Sequence, residues 1–420
     1  MIKRILYTLL IMFPVLASAQ INTDRVMAIG RNALYFEDYV LSIQYFNQVI
    51  NAKPYLSDPY FYRGLAKINL DDFQGAESDC SEAIERNPFV VSAYQVRGLA
   101  RIQQNNFAGA IEDYTKALEF DPENIGVWHN MALCRIRQED YKGAKNDLDK
   151  LIAISPRYTK AYLMRGEVDL KQKDTLAAEK DFGKAIEIDR YDADTWASRA
   201  ILRLQQQRYK DAEADFDHAI RLSTRNSGVY INRALARYHQ NNLRGAMSDY
   251  DIALDIDPNN FIGHYNRGLL RAQVGDDNRA IQDFNFVIEM EPDNMMAIFN
   301  RGLLLDQTGD YKGAIKDYST VINEYPNFLL GYQYRAQARR KIGDVKGADA
   351  DEFKVLKAQL DKQNGVDPNK QTADNTENNK TRKKSDKNMN NYRKIVVADN
   401  EEGEEKYKSD YRGRVQDKNV

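Results

Sequence analysis

The chain has 420 residues, of which 43% are apolar and 29% charged, and its formal net charge is −2. That is enough apolar material to bury a sizeable core. The charge is too evenly balanced to indicate nucleic acid as the main partner.

The first 19 residues have the pattern of a secretory signal peptide. A basic start precedes a short apolar run, residues 5–16, and residues 17–19 (Ala-Ser-Ala) form a small-residue cleavage site. An uncleaved anchor is the alternative, but the apolar run is short and interrupted for a membrane span. We therefore expect a chain exported to the periplasm or secreted, with no membrane span after signal cleavage.

From Thr23 onward the sequence repeats every 34 residues in ten units. Position 8 is Gly or Ala in every unit, position 20 is Ala in nine, positions 4 and 24 are mostly aromatic, and position 32 is Pro in seven. Positions 4, 8 and 11 share one face of a first helix, and positions 20, 24 and 27 share one face of a second. The pattern predicts two amphipathic helices per unit, packed through small residues, with a proline that ends the second.

The turn inside each unit carries a predicted helix cap. Position 16 is Asp or Asn in nine units, where a side-chain oxygen can accept from the free amides of the second helix. Arg208 is the exception, so repeat 6 should have the weakest cap. The predicted caps are Asp38, Asp72, Asn106, Asp140, Asp174, Asn242, Asp276, Asp310 and Asp344.

A charged pair recurs at the predicted helix–helix contact. Position 7 is Arg in eight units, and position 23 is Asp in nine. We predict a bridge within each of eight repeats, because pairing with the next repeat would leave Arg63 without a partner. A row that binds acidic ligands is the alternative, but the paired acids would neutralise it. The predicted pairs are Arg63–Asp79, Arg97–Asp113, Arg165–Asp181, Arg199–Asp215, Arg233–Asp249, Arg267–Asp283, Arg301–Asp317 and Arg335–Asp351.

The pattern resembles the tetratricopeptide repeat, over Thr23 to about Lys362. The resemblance implies an all-α fold, a right-handed superhelical solenoid of ten helix–turn–helix repeats, whose first helices line a concave groove. The predicted domains are a signal peptide (1–19), the repeat array (20–362) and a disordered, charged C-terminal tail (363–420). A long solvating helix with a polar outer face, Asp351 to Gly365, is expected to close the array.

The predicted tail contains one short apolar patch, Ile395-Val396-Val397, between a basic and an acidic cluster. A fully solvated tail is one interpretation. A partner-binding strand that becomes ordered on contact is the other.

No catalytic or metal-binding pattern is present in the sequence. None of the four histidines forms a His–x₃–His or Cys–His ligand pair, and no glycine-rich phosphate loop occurs. Cys80 and Cys134 occupy non-equivalent repeat positions, so we expect them to be unpaired. We predict no catalytic residue, no metal and no cofactor.

The resemblance implies that positions 2, 5, 6, 9, 12 and 13 of the first helix face the groove. An Asn side chain at position 6 offers a donor and an acceptor to the backbone of an extended peptide, and apolar neighbours would hold its side chains. An Asn row that instead satisfies neighbouring backbone is the alternative. The predicted peptide-binding residues are Asn130, Asn232, Asn266, Asn300, Tyr265, Phe299, Leu235, Leu269, Leu303, Gln273 and Gln307.

These patterns predict a non-catalytic protein–protein interaction scaffold of the cell envelope that binds an extended peptide in its groove. The alternative is a substrate-recruiting or structural subunit of an envelope or secretion complex that contacts its partner through the C-terminal tail. The expected ligand is a protein or peptide, and the oligomeric state is left open.

Overall fold

The computed structural model describes residues 22–222, 225–364 and 389–398. The predicted signal peptide lies outside these residues, as does the predicted tail apart from residues 363–364 and 389–398. The described residues form α-helices and one short 3₁₀ helix, with no strand among them, so the all-α prediction is confirmed. Within this described part, no helix is both long and apolar enough to cross a membrane.

Each predicted repeat contains one pair of helices. The first five pairs are α1 Thr23–Tyr35, α2 Tyr39–Ala52, α3 Asp58–Ile68, α4 Phe73–Arg86, α5 Val91–Gln103, α6 Phe107–Phe120, α7 Ile125–Arg137, α8 Tyr141–Ile154, α9 Thr159–Lys171 and α10 Thr175–Ile188. The next five are α11 Ala193–Gln205, α12 Tyr209–Arg221, α13 Ser227–His239, α14 Leu243–Ile256, α15 Phe261–Gln273, α16 Asp277–Met290, α17 Met295–Thr308, α18 Tyr311–Glu324, α19 Leu329–Lys341 and α20 Val345–Gln363. The 3₁₀ helix is Met389–Asn391.

The chain divides into two compact units, with the boundary after Asp189. The described part of the first unit holds repeats 1–5, and that of the second holds repeats 6–10 together with residues 389–398. Within each unit, the two helices of a repeat pack together, and the second helix of one repeat packs on the first helix of the next.

Small residues at position 8 allow the aromatic ring at position 24 to fill the space between the two helices. A Cβ atom added to Gly98 would lie 2.8 Å from the ring of Tyr114, and one added to Gly166 would lie 2.6 Å from the ring of Phe182. Both rings are buried. The packing predicted from the sequence is confirmed, and its cause is the volume that the ring occupies.

A left-handed residue at position 15 closes the turn in all ten repeats. Three repeats place a glycine there, but seven place a larger residue, such as Glu37 at φ 63° or Lys173 at φ 65°. In nine of these repeats the chain then turns back so that the amide of position 16 donates to the carbonyl of position 11, as Asp38 does to Ala33 over 2.9 Å. The sequence did not predict this conformation, because non-glycine residues rarely adopt it.

The predicted caps form in eight of the nine repeats. Asp310 is typical, because its carboxylate accepts from the amide of Gly313 at 2.9 Å. The prediction is wrong for Asp276, whose side chain makes no cap bond and instead pairs with Arg279 at 2.6 Å. Arg208 makes no cap bond, as predicted. The caps that form are Asp38, Asp72, Asn106, Asp140, Asp174, Asn242, Asp310 and Asp344.

All eight predicted Arg–Asp bridges form within their own repeats. Repeat 4 has Met131 at position 7, and its Asp147 pairs with Arg135 at 2.7 Å instead. Burial raises the pKa of Asp147 to about 6, against the lowering effect of Arg135. The arginine row is thus neutralised by its own acids, which supports the structural reading over a surface for acidic ligands.

The last helix, α20, corrects one expectation. Phe353, Leu356 and Leu360 are exposed on it, so its outer face is not uniformly polar. A closing helix normally presents polar residues to solvent, and these three apolar side chains depart from that rule.

Candidate peptide-binding groove

A stretch of the chain's own C-terminal region lies against the first helices of repeats 7, 8 and 9. We call residues 389–398 the tail segment. Three buried asparagines, Asn232 on α13, Asn266 on α15 and Asn300 on α17, donate hydrogen bonds to its backbone, and we call them the asparagine row. The expectation of a disordered tail is corrected for these ten residues.

Two members of the row each bind both backbone groups of one residue. Nδ2 of Asn232 donates to the carbonyl of Ala398 at 2.9 Å, and the amide of Ala398 donates to Oδ1 of Asn232 at 2.9 Å. Asn266 binds Val396 in the same way. Its Nδ2 donates to the carbonyl of Val396 at 2.7 Å, and the amide of Val396 donates to its Oδ1 at 2.8 Å. Both Asn side chains are 0% exposed. A carboxamide can do this because it carries a donor and an acceptor side by side.

The third asparagine binds the tail segment where its chain turns. Nδ2 of Asn300 donates to the carbonyl of Tyr392 at 2.5 Å, and the hydroxyl of Tyr265 donates to the same carbonyl at 2.7 Å. The same Nδ2 donates to the carbonyl of Met296 at 2.9 Å, within its own helix. The predicted alternative, in which the row satisfies neighbouring backbone, therefore applies to Asn300 in addition to peptide contact.

The tail segment runs opposite to the order of the repeats. Repeat 7 binds residue 398, repeat 8 binds residue 396 and repeat 9 binds residue 392. The first two sites read alternate residues, as expected for an extended chain whose successive residues face opposite ways. The second and third sites lie four positions apart, because a turn intervenes in which the amide of Lys394 donates to the carbonyl of Asn391 at 2.7 Å.

Apolar side chains anchor the extended half of the tail segment. Ile395 is buried in a cluster with Leu235, against which Leu269 also packs. Ala398 is 3% exposed and belongs to the buried cluster of Ile231. In contrast, Val397 lies between them and is 38% exposed.

The other half is anchored by an aromatic contact. The ring of Tyr392 meets the ring of Phe299 edge to face, with centroids 4.8 Å apart. Met389 is buried in the cluster that contains Phe299 and Tyr265. Edge-to-face geometry is the arrangement that aromatic pairs favour.

The structure brings together most of the predicted site residues, and it divides them into three groups. Those in contact with the tail segment or its apolar anchors are Asn232, Asn266, Asn300, Tyr265, Phe299, Leu235 and Leu269. A cavity of about 430 Å³ beside the segment's Arg393 is lined by Leu303, Gln273 and Gln307, together with Leu269 and Asn300. Asn130 is buried in the first unit and is not part of this row.

Sequence reasoning did not identify the occupant of the groove. The signal available was the apolar patch at residues 395–397, for which a strand that becomes ordered on contact was one of two interpretations beside a solvated tail. What the sequence could not supply was the surface that orders it, which lies more than a hundred residues away along the chain. Burial of Ile395 and Ala398 helps to offset the entropy of ordering an otherwise polar stretch.

The described residues hold no candidate metal centre, and both of their thiols are buried. No cluster of three or more His, Cys, Asp or Glu side chains in this part of the chain is placed to hold a metal ion. Cys80 and Cys134 are buried and unpaired with each other, as predicted, and burial raises the pKa of both thiols, that of Cys134 to about 12. Such thiols are poor nucleophiles at neutral pH.

Stacked helix pairs that hold a segment of chain against their first helices define a class of helical-repeat interaction scaffolds. Sequence models described as TPR repeat and tetratricopeptide repeat match residues 98–134, 125–158, 159–192, 198–261 and 265–327. The chain belongs to the tetratricopeptide repeat family.

Several solved structures are similar to parts of the chain. A tetratricopeptide repeat protein from Parabacteroides merdae is 21% identical and aligns over 59% of this chain and 98% of its own, with a TM-score of 0.46. The C-terminal part of a TPR protein from Cytophaga hutchinsonii is 18% identical over 56% of this chain and 97% of its own, with a TM-score of 0.47. YrrB, a TPR protein with an unusual peptide-binding site, is 18% identical over 44% and 95%, with a TM-score of 0.40. A comparison with curated proteins found no match.

Proposed function

We propose that this protein is a non-catalytic scaffold that holds an extended peptide of another protein in the groove of repeats 7–9. The observation that carries the proposal is the double hydrogen bond from Asn232 and from Asn266 to one backbone residue each. These bonds use only groups that every non-proline residue possesses, so they suit an extended peptide of any origin.

The hydrogen bonds of Asn232 and Asn266 both orient a bound peptide and contribute to its affinity. Each hydrogen bond contributes a net ~0.5–1.5 kcal/mol, and those shielded from water are favoured because the alternative is an unsatisfied buried group. Asn232 and Asn266 make four such bonds between them, all of 2.7–2.9 Å. The tail segment supports the proposal, because its extended backbone already pairs with two of the three asparagines of the row.

The test requires a full-length chain whose own segment cannot pair with the row. The double substitution Val396→Pro and Ala398→Pro removes both amide donors, because proline has no N–H. We call this variant the opened chain. It should bind a fluorescent synthetic peptide of residues 389–398 saturably, as measured by fluorescence anisotropy.

Two controls make the test specific for backbone pairing. Asn266→Asp in the opened chain keeps the acceptor but loses the donor, and should weaken binding by at least about tenfold, since ~1.4 kcal/mol corresponds to one decade. Asn130→Asp alters the equivalent repeat position in the first unit and should leave the affinity unchanged. N-methylation of the peptide at residue 396 should abolish binding. The proposed function would be overturned if the opened chain showed no saturable binding. It would also be overturned if the Asn266→Asp variant and the N-methylated peptide bound as tightly as the unmodified chain and peptide.

We further propose that the scaffold acts in the cell envelope. The support is the signal-peptide pattern of residues 1–19. In the cells that make this protein, mass spectrometry of the intact chain should find a mature N-terminus at Gln20. Retention of Met1 and the apolar run would contradict export by cleavage.

A further inference from the structure

We infer that the tail segment is a built-in copy of the partner's binding motif, so that a partner peptide presents the same anchors and enters only by displacing it. The inference rests on the proposed function, because it names the sequence that the groove selects. It adds that the groove of the resting chain is occupied.

The site for residue 398 demands a small side chain. Ala398 is 3% exposed and lies in a buried cluster with Ile231, Ala234 and Leu270, each 0% exposed. Its backbone is fixed by both bonds to Asn232, so the peptide cannot withdraw to make room. Overpacking a filled site of this kind is destabilising.

The sites for residues 395 and 392 select apolar and aromatic side chains. Ile395 is buried in the cluster of Leu235, and Leu269 packs against that cluster. The ring of Tyr392 abuts the ring of Phe299. Burying aliphatic and aromatic carbon removes apolar surface from water, so these contacts add affinity that backbone bonds alone do not.

Three other positions of the tail segment are exposed, so their side chains are free to vary. Val397 is more than one third exposed, and Arg393 and Lys394 are exposed. The pattern presented by a partner is therefore an aromatic residue, an aliphatic residue three positions later and a small residue three positions after that. Its chain runs opposite to the order of repeats 7, 8 and 9, as Tyr392 to Ala398 does.

Tethering makes the tail segment a strong competitor. Only residues 365–388 separate it from the last described residue of the repeat array. A competitor joined by a short linker acts at an effective concentration on the order of millimolar. A free peptide with micromolar affinity for the empty groove should therefore bind the full-length parent at least about tenfold more weakly.

The experiment uses two matched substitutions in the full-length chain. Ala398→Trp places a large side chain in the small site and should release the segment, whereas Val397→Trp places it on the exposed side and should not. The probe is the fluorescent peptide of residues 389–398 with the parent sequence. The A398W chain should bind this probe at least about tenfold more tightly than the parent does. The V397W chain should behave like the parent.

A second arm tests the motif itself. The A398W chain should bind a V397W peptide as it binds the parent peptide, and it should reject an A398W peptide. Equal binding of both variant peptides would overturn the inferred motif while leaving the proposed function intact. Equal binding of the parent probe by the parent and A398W chains would overturn the competition.

The two proposals fail in different ways. If neither the A398W chain nor the opened chain binds the parent peptide, the proposed function itself is refuted. If thermal unfolding shows that the A398W chain is misfolded, the opened chain replaces it in both arms, because its substitutions leave the groove residues untouched. Each result therefore decides one of the two statements.

Discussion

The Arg267–Asp283 bridge in repeat 8 gives a prediction that can be worked through from distances. Asp283 is 3% exposed and accepts from Arg267 at 2.8 and 3.2 Å, from Arg271 at 2.7 Å and from Nδ1 of His264 at 3.0 Å. Burial alone would raise the pKa of Asp283, but the hydrogen bonds from His264 and Arg267 lower it below the usual value. The native state therefore holds a charged carboxylate among several donors.

Removing the carboxylate should cost more than removing one arginine. Asp283→Leu strands two guanidinium groups, of which Arg267 keeps only the half-exposed Asp251 at 2.8 Å. Loss of one partner of a buried pair costs ~3–5 kcal/mol, and the partial exposure of the arginines places this case near ~3 kcal/mol. Arg267→Met leaves Asp283 bound to Arg271 and His264, and should cost ~1–2 kcal/mol. The double variant should cost less than the sum, by ~1–2 kcal/mol.

The assay is native-state hydrogen exchange of amides in α15 and α16, because a repeat array does not unfold as one cooperative unit. Asp251→Leu is the matched control, since it removes the exposed acid of Arg267 and should cost under ~1 kcal/mol. If Arg267→Met, Asp283→Leu and the double variant all exchange within ~0.5 kcal/mol of the parent, the bridge does not stabilise the fold.

Three further predictions concern packing, capping and pH. Gly166→Ala should lower the melting temperature because its Cβ would meet a ring at 2.6 Å, whereas Gly183→Ala, which meets nothing within 4 Å, should raise stability by ~0.5–1 kcal/mol. Asp310→Ala should cost ~1 kcal/mol by native-state hydrogen exchange of the α18 amides, and Asp276→Ala, which removes no cap bond, should cost less in α16. Because the pKa of Asp147 is raised to about 6, the folded chain binds its proton more tightly than the unfolded chain does, so the parent loses stability as pH rises from about 4 to about 6. Between those pH values the melting temperature of Asp147→Asn should rise relative to the parent, and a constant difference would contradict the assignment.

The sequence predicted the parts of this fold that depend on periodic spacing. Helix faces, the small-residue contact beside Tyr114 and the pairing of Arg267 with Asp283 all follow from one 34-residue register. The left-handed turn at Lys173 did not follow, because its residue type does not favour that conformation. Asp276 makes no cap bond because its carboxylate pairs with Arg279 instead. The cap prediction used only the residue type at position 16, so it could not include the competing arginine.

The candidate site was predictable only in part. Asn232 and Asn266 could be placed on the groove because the register fixes which face of the first helix they occupy. Their partners, Ala398 and Val396, could not be assigned, because a contact between distant parts of the chain leaves no periodic signal. The apolar character of Ile395 indicated that its side chain would be buried, but it did not indicate which surface would cover it.

The most direct test of the central claim is amide hydrogen exchange in residues 392–398 of the full-length chain. The account predicts protection of the Val396 and Ala398 amides, both of which donate to the asparagine row. In an Asn266→Asp variant, the Val396 amide should exchange faster, because the segment then binds the groove less tightly. Exchange at the rate of the free synthetic peptide in the parent chain would contradict the claim that this groove holds a peptide by its backbone.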